Sequence, residues 1–184
     1  MTKPFRDITP QGRKELWKSC VSFHGHSCGG LAIGFQAAML AANLLDLSFS
    51  RDEETVCVAE NDACGVDAIS VILGCSLGKG NLLLRIRGKQ AFSFLNRKTG
   101  QCTRLSYQSP PSMPQDDKEG YILNADPHSI FSITKPSFDL PEEAIIFDSL
   151  ICESCGEQTA EPYIRLTGSK KVCTDCYSEY KRFF

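Results

Sequence analysis

The chain has 184 residues, which is enough for one core of ordinary size and a small appended unit. Its 20 basic and 22 acidic side chains leave a formal net charge of −2, and this excludes a basic surface spread over the whole sequence. Any contact with nucleic acid would therefore be confined to a local patch.

Ten cysteines are the unusual part of the composition. They occur in Cys-x-x-Cys pairs and beside histidines, a pattern that favours metal ligands in a reducing compartment over disulfides. The N-terminus shows no apolar targeting segment. The longest apolar run, Leu31 to Leu45, contains Gln36 and Asn43 and is shorter than the ~20 residues of a membrane span. These observations predict a soluble, cytoplasmic protein that does not enter a membrane.

Two predicted helices flank a loop at residues 23–30, whose sequence is FHGHSCGG. The first begins at Thr9-Pro10, where a hydroxyl caps the helix and a proline ring occupies its first position. The second starts at Leu31 and is apolar on every side, so it must be covered on all sides. That pattern predicts either a central helix under a curved sheet or a helix shared with a second subunit.

The loop brings three ligand-type side chains to the start of the second helix. Cys28 lies at the helix N-terminus, where unpaired N–H groups and the helix dipole favour the thiolate. In an extended approach His24 and His26 point the same way, because side chains alternate with a period of two. We interpret His24 as a metal ligand and His26 and Cys28 as catalytic residues. The alternative is a polar turn with one capping histidine.

A second loop of the same kind follows a predicted buried strand, Thr55–Ala59, and precedes a predicted helix over residues 66–73. Cys64 in this loop occupies the same kind of place as the cysteine of the first loop. If the two loops face each other they form a mixed nitrogen–sulfur site, for which the residue types allow Zn²⁺, Ni²⁺, Fe²⁺ or Cu ions. In the alternative, Asp62 and Asp67 only cap the helix and Cys64 packs in the core.

A third loop, GCSLGKGN at residues 74–81, is rich in glycine. It is one residue short of the P-loop spacing and lacks the Ser/Thr after its lysine, so nucleotide hydrolysis is disfavoured. Its backbone N–H groups together with Lys79 suit an anion, which makes Lys79 a weak candidate for anion binding. Cys75 is either a further ligand or, as we favour, a core side chain.

Three strand-like runs follow, at residues 82–87, 91–96 and 101–107, and the short polar segments between them predict an antiparallel meander. Their basic side chains are interpreted as a solvated face rather than a nucleic-acid groove: Arg85, Arg87, Arg97, Lys98 and Arg104. The rest of this region is predicted as an exposed loop, a strand and a short helix, at residues 109–118, 129–134 and 140–147.

The most specific signal is the spacing of the last four cysteines. Cys152-x-x-Cys155 and Cys173-x-x-Cys176 are separated by seventeen residues, as in a four-cysteine zinc site. Four thiolates leave no open position on a tetrahedral ion, so this site is structural. A unit of about 35 residues is too small to hold itself without the metal. The alternative, a thioredoxin-type redox pair, needs only one Cys-x-x-Cys and a βαβ context.

A hairpin over residues 163–172 and a terminal helix over 175–181 are predicted around these cysteines, which gives a treble-clef-like finger. The predicted fold class is therefore α+β, with helices packed on an antiparallel or mixed sheet and a small zinc-binding domain at the C-terminal end. We place the core domain at residues 1–149 and the finger at residues 150–184.

These motifs resemble the FmdE family, named for a component of the formylmethanofuran dehydrogenase complex. The resemblance rests on the loops at 23–34, 60–67 and 74–82 and on the appended finger, and it covers most of the chain. It implies an α+β core, often followed by a zinc finger, in a tightly associated homodimer whose His/Cys loops converge on a metal-binding cleft. It also implies a link to a molybdenum or tungsten enzyme of one-carbon metabolism, without establishing catalysis by this polypeptide.

Three functions follow as hypotheses. The first is a metal-dependent enzyme or a part of one, in which His24, Cys64 and either Cys28 or His26 hold Zn, Ni or Fe with an open position for substrate. The second is a metal-sensing or regulatory adaptor whose zinc finger binds protein or nucleic acid. Binding of nucleic acid by such an adaptor would depend on basic residues beside the finger: Lys170, Lys171, Lys181 and Arg182. The third is a carrier of metal or cofactor. The sequence names no reaction.

Overall fold

The computed structural model describes Phe5 and residues 8–111, 113–114, 116–141 and 146–182. The chain divides into two compact units, Met1–Ala144 and Ile145–Phe184. The helices of the first unit are α1 Pro10–His24, α2 Gly29–Leu45, α3 Gly65–Leu73, α4 Lys118–Asn124 and α5 Pro127–Ile130. Its strands are β1 Thr55–Ala59, β2 Leu82–Leu84, β3 Ala91–Asn96, β4 Gln101–Tyr107 and β5 Phe131–Thr134. The fold is mixed α+β, as predicted.

The sheet of the first unit has the strand order β2-β1-β3-β4-β5. β3 and β4 form the predicted antiparallel hairpin, but β2 pairs with β1 in parallel, so the predicted meander is wrong at its first strand. The chain passes from β1 to β2 through α3, and such a crossover permits parallel pairing. Beyond β2 the backbone N–H groups of Arg85 and Arg87 still donate to the carbonyls of Ala59 and Glu60, so this segment stays beside β1.

Two short helices interrupt the region predicted as loop and strand. The predicted loop ends in α4, where the Asp117 carboxylate accepts a hydrogen bond from the N–H of Gly120. The predicted strand begins only at Phe131, because Asp126 caps the short helix α5 before it. The short helix predicted over residues 140–147 centres on residues outside the described part of the chain.

The central element is α2, of whose 17 residues 13 are buried. It packs against the other four helices and against β3 and β4, so its own chain covers most of it, although Leu44 near its end is 38% exposed. The ring of Phe35 on α2 meets the ring of Trp17 on α1 edge-to-face, with centroids 5.4 Å apart. Although α2 is apolar, none of the described helices combines the length and hydropathy that a membrane crossing requires.

The backbones of α2 and α3 touch at glycines. A Cβ placed on Gly34 would lie 2.0 Å from the carbonyl oxygen of Gly65, and one placed on Gly65 would lie 3.0 Å from the carbonyl oxygen of Gly30. Only glycine permits so close an approach of two backbones. As a result the N-termini of α2 and α3 lie side by side, and the residues that precede them, Cys28 and Cys64, become neighbours.

Two of the basic side chains predicted to be solvated are instead paired. Arg104 donates to both carboxylate oxygens of the buried Glu60, at 2.6 and 3.0 Å, and Arg97 donates to Glu53 at 2.8 Å. The hydrogen bond from Arg104 lowers the pKa of Glu60. The solvated-face interpretation is therefore wrong for Arg97 and Arg104, whose partners lie 44 residues away in the sequence.

The second unit consists of two short hairpins, β6 Ser149–Ile151 with β7 Gln158–Ala160 and β8 Ile164–Thr167 with β9 Lys170–Cys173. The second hairpin was predicted. The terminal helix is not formed over residues 175–181, which are turn and irregular backbone. Tyr180 there is 84% exposed, and a helix this short does not form in water without an apolar face to bury.

Candidate metal centres

Four residues singled out in the sequence meet at the paired helix N-termini: His24, His26, Cys28 and Cys64. One ligand atom from each lies within 4.8 Å of all the others. A tetrahedral ion with bonds of about 2.0–2.3 Å separates its ligand atoms by about 3.3–3.8 Å. Ligand atoms this close together could hold one ion after a small inward adjustment.

Local backbone geometry places the two histidines together. α1 ends at His24 because Gly25 adopts a left-handed conformation, φ 92°, and its N–H donates to the carbonyl of Val21. The chain then turns, and the ring of His26 returns to the ring of His24, with centroids 4.4 Å apart. His26 is exposed, whereas His24 is half-buried.

His24 has one ring nitrogen engaged and one free for a metal. Its Nδ1 lies 2.7 Å from a carboxylate oxygen of Asp67, in the first turn of α3. Its Nε2 is buried and has no hydrogen-bond partner in the described part of the chain. A carboxylate on one ring nitrogen fixes the tautomer and directs the lone pair of the other, as in many metal-binding histidines. Asp67 is therefore the orienting partner of His24, a role that the sequence did not reveal.

The two cysteines have different hydrogen bonds. Cys28 lies at the N-terminus of α2 as predicted, and its Sγ accepts from the N–H of Leu31 at 3.4 Å. Cys64 precedes α3 without making a side-chain cap. Burial, together with the neighbouring Cys28 thiol, raises the pKa of Cys64. Because metal ligation requires a thiolate, binding of an ion would release a proton from Cys64.

A cleft of about 360 Å³ opens beside this cluster. Its walls come from the loop before α3, from α3 itself and from the edge strand β2. Among the cluster residues, His24 and Cys64 line it, so a metal held here would face the cleft. The remaining lining residues are Asp62, Ala63, Val66, Asp67, Leu77, Leu82 and Leu84.

The glycine-rich loop at 74–81 contributes neither of its candidates to the cluster. Lys79 donates from Nζ to the carbonyl of Ser50 at 2.8 Å, and its anion-binding role stays a prediction. Cys75 is fully buried, and burial raises its pKa to about 12, so it is a core side chain as favoured. Asn81 holds the loop through hydrogen bonds that include one from the N–H of Ser76.

The second unit gathers its four cysteines, Cys152, Cys155, Cys173 and Cys176, with the Sγ atoms within 4.8 Å of one another. Hydrogen bonds from the backbone N–H groups of Cys155 and Cys173 lower the pKa of Cys152 to about 6, which favours the thiolate that a metal needs. The two Cys-x-x-Cys pairs act together and lie beside hairpins, so the thioredoxin-type alternative does not fit. The geometry is that of a closed four-thiolate site.

Comparison with known proteins assigns both units. A family model described as FmdE, molybdenum formylmethanofuran dehydrogenase operon, matches residues 23–126, which is more than half of the chain. The chain belongs to the FmdE family. A second model, the prokaryotic DksA/TraR C4-type zinc finger, matches residues 146–182 and identifies the four-cysteine unit as a zinc finger.

Two individual proteins resemble this FmdE-family chain over almost its full length. A tungsten formylmethanofuran dehydrogenase FmdE-like protein from Syntrophus aciditrophicus shares the fold, with a TM-score of 0.68, 19% identity and 96% coverage of each chain. A protein of Archaeoglobus fulgidus described as a probable S-adenosyl-L-methionine-binding protein is 24% identical over 210 residues. That alignment covers 96% of this chain and 56% of the relative, so the chain spans just over half of the relative's length.

Proposed function

We propose that the core of this FmdE-family protein is a metal-dependent centre. It would serve as an enzyme component or accessory protein in one-carbon metabolism of the molybdenum or tungsten formylmethanofuran dehydrogenase type. The observation that carries the proposal is the convergence of two imidazoles and two thiols beside an open cleft. The reducing cytoplasm is the proposed location, because it keeps such thiols free to bind metal.

The donor set fits a zinc-type ion. Mixed imidazole and thiolate ligation suits Zn²⁺ and also Ni²⁺ or Fe²⁺. The buried, unpartnered Nε2 of His24 is the strongest sign, since such a nitrogen is costly unless it binds something. A metal at this place would supply Lewis acidity to a ligand in the cleft.

The residues of the cluster divide by exposure. His24, Cys28 and Cys64 are half-buried and held at helix ends, so they form the fixed part of the site. His26 is exposed and follows the glycine turn, so it is the member that a substrate can replace. Three fixed ligands and one exchangeable position are typical of catalytic zinc sites, whereas structural sites have four permanent ligands.

An exchangeable position can be detected in the cobalt-loaded full-length protein. We expect imidazole, a small neutral ligand, to change the visible absorption of cobalt in the core, while the closed finger site does not respond. His26→Ala should retain cobalt and bind imidazole more tightly, by about tenfold, since the competing ligand is gone. Cys102→Ser, which alters an exposed cysteine of β4, is the matched control.

A wild-type cobalt spectrum that imidazole leaves unchanged would mean four permanent protein ligands. That result would favour the second candidate, a regulatory adaptor. The finger offers the surface for it: Ile151, Tyr163 and Leu166 are all more than half exposed.

The charge of the finger favours a protein partner over nucleic acid. Residues 145–184 carry five basic and six acidic side chains, so Lys170, Lys171, Lys181 and Arg182 are balanced locally. Nucleic-acid binding draws most of its affinity from an excess of basic groups. A homodimer, which the family resemblance implies, remains part of the proposal.

The Archaeoglobus relative suggests one ligand for the cleft. Its description names S-adenosyl-L-methionine, and this chain aligns with it over 96% of its length. A cleft of about 360 Å³ lies in the range of small-molecule sites. Titration of S-adenosyl-L-methionine against the same cobalt-loaded protein tests this candidate: a saturable spectral change supports it, and no change at millimolar concentration removes it.

A further inference from the structure

We propose that the cleft beside His24 and Cys64 selects a small organic cation with apolar substituents and discriminates against anions. The inference rests on the proposed function, because it concerns the ligand class of that same site. It depends on three features of the described residues: the charges in the cleft wall, the contacts that nearby basic groups make elsewhere, and the apolar residues of the lining.

The charged side chains in the wall of the cleft are acidic. Asp62 is exposed at its rim, and Asp67 is 41% exposed even though it pairs with His24. No lysine or arginine is among the described residues that line the cleft. An entering anion would meet two carboxylates, and no basic group of the wall would compensate.

The basic groups nearest along the chain are held by other partners. Lys79 donates to the carbonyl of Ser50. The guanidinium of Arg85 lies over the ring of Phe138, 4.5 Å from its centroid. Arg87, which follows the edge strand, donates to the carbonyl of Ile86 next to it. Lys79 and Arg85 are therefore engaged with other groups, and the exposed Arg87 is not among the residues that line the cleft.

A metal in the core would not reverse this polarity. A divalent ion bound by the thiolates of Cys28 and Cys64 has no net charge together with them, and neutral imidazoles add none. The carboxylates of Asp62 and Asp67 then leave the neighbourhood negative. The site therefore lacks the excess positive charge that draws carboxylate or phosphate ligands to many metal centres.

The other lining residues supply apolar contact. Leu77 is 63% exposed and Leu84 is 44% exposed, and both line the cleft with Val66 and Leu82. Exposed leucines at the edge of a cleft offer surface to alkyl groups. A ligand that combines alkyl groups with a positive charge can contact the leucines and the carboxylates at once.

Three molecules of nearly equal shape separate these possibilities: choline, the neutral 3,3-dimethylbutan-1-ol, and the anion 3,3-dimethylbutanoate. Each is titrated into the full-length, zinc-loaded protein, with the methyl signals of Leu77, Leu82 and Leu84 followed by NMR. We expect choline to bind about tenfold more tightly than the alcohol, and the alcohol more tightly than the butanoate. Asp62→Asn should remove most of the advantage of choline, whereas Asp116→Asn, in the loop before α4, should leave it unchanged.

The zinc content of every sample is measured, so that failure of the metal site and failure of the cleft's preference are distinguished. A sample that lacks core zinc contradicts the proposed function, but Asp62 and Asp67 still predict choline over butanoate in it. Equal or tighter binding of the butanoate, a choline preference that Asp62→Asn leaves undiminished, or no methyl shift with any probe overturns the inference.

Discussion

Replacing Cys173 by serine is expected to release the zinc of the finger and unfold residues 146–182, while the core unit stays folded. The finger has almost no hydrophobic core of its own. Its buried cluster consists of Cys152, Val172 and Cys173, with Cys176 packed against it, so three of these four side chains are metal ligands. In such small units the free energy of metal binding, about 10–16 kcal/mol for structural zinc, supplies the free energy of folding.

Limited proteolysis with a zinc assay measures this effect. We expect Cys173→Ser to lose one zinc per chain and to be cut within the finger at least about tenfold faster, because cleavage follows the population of the open form. Cys102→Ser changes an exposed cysteine of the first unit, outside the finger, and should behave as the wild type. Retention of the zinc and of protease resistance by Cys173→Ser would contradict the assignment.

The second large effect is expected for the substitution of Gly34 by alanine. Two opposing contributions to the free energy of unfolding, helix propensity and steric clash, can be compared there. Alanine is favoured over glycine inside a helix by about 1 kcal/mol, which alone would stabilise α2. The added methyl, however, would lie 2.0 Å from the carbonyl oxygen of Gly65, and that atom is backbone and cannot rotate away. We expect the clash to dominate and Gly34→Ala to lower the free energy of unfolding of the core by about 3 kcal/mol or more.

Thermal unfolding of the full chain tests the prediction at Gly34. A loss of about 3 kcal/mol corresponds to a fall in Tm of about 6–12 °C for a chain of this size. Gly78→Ala is the control, because nothing lies within 4 Å of a Cβ at that position and its φ is not positive. An unchanged Tm in Gly34→Ala would mean that α2 and α3 separate at little cost. The close contact would then not be what brings the two cysteines together.

Local signals predicted much of the core correctly. The Thr9-Pro10 start of α1, the position of Cys28 at the start of α2 and the buried strand β1 each depend on a few adjacent residues and on patterns that physical chemistry restricts. The finger was predictable for the same reason, since the spacing of its cysteines matches the geometry of one tetrahedral ion.

The errors concern interactions between distant parts of the chain. The parallel pairing of β2 with β1 depends on the crossover through α3, which strand propensity does not reveal. The ion pair of Glu60 with Arg104 joins positions 44 residues apart, and the hydrogen bond between His24 and Asp67 joins positions 43 apart. The predicted terminal helix of the finger was wrong for another reason. Tyr177 and Tyr180 in that segment are exposed, so a helix there would bury little apolar surface.

The glycines show how a local and a distant signal combine. Gly30 and Gly34 are visible in the sequence as small residues at the start of an apolar helix, and Gly65 as the start of another. Nothing in the spacing indicates that they touch each other. The contact is known only from the structure, and it is what converts two separate His/Cys loops into one cluster.

The most direct test of the core metal centre is the metal content per chain of full-length protein purified under reducing conditions without added metal. We predict two ions per chain in the wild type and one in Cys64→Ser, His24→Ala and Cys173→Ser. The two core variants should keep their far-ultraviolet circular dichroism, because Cys64 and His24 lie at helix ends rather than in the packed core. A single ion in the wild type that both core variants retain would contradict the site.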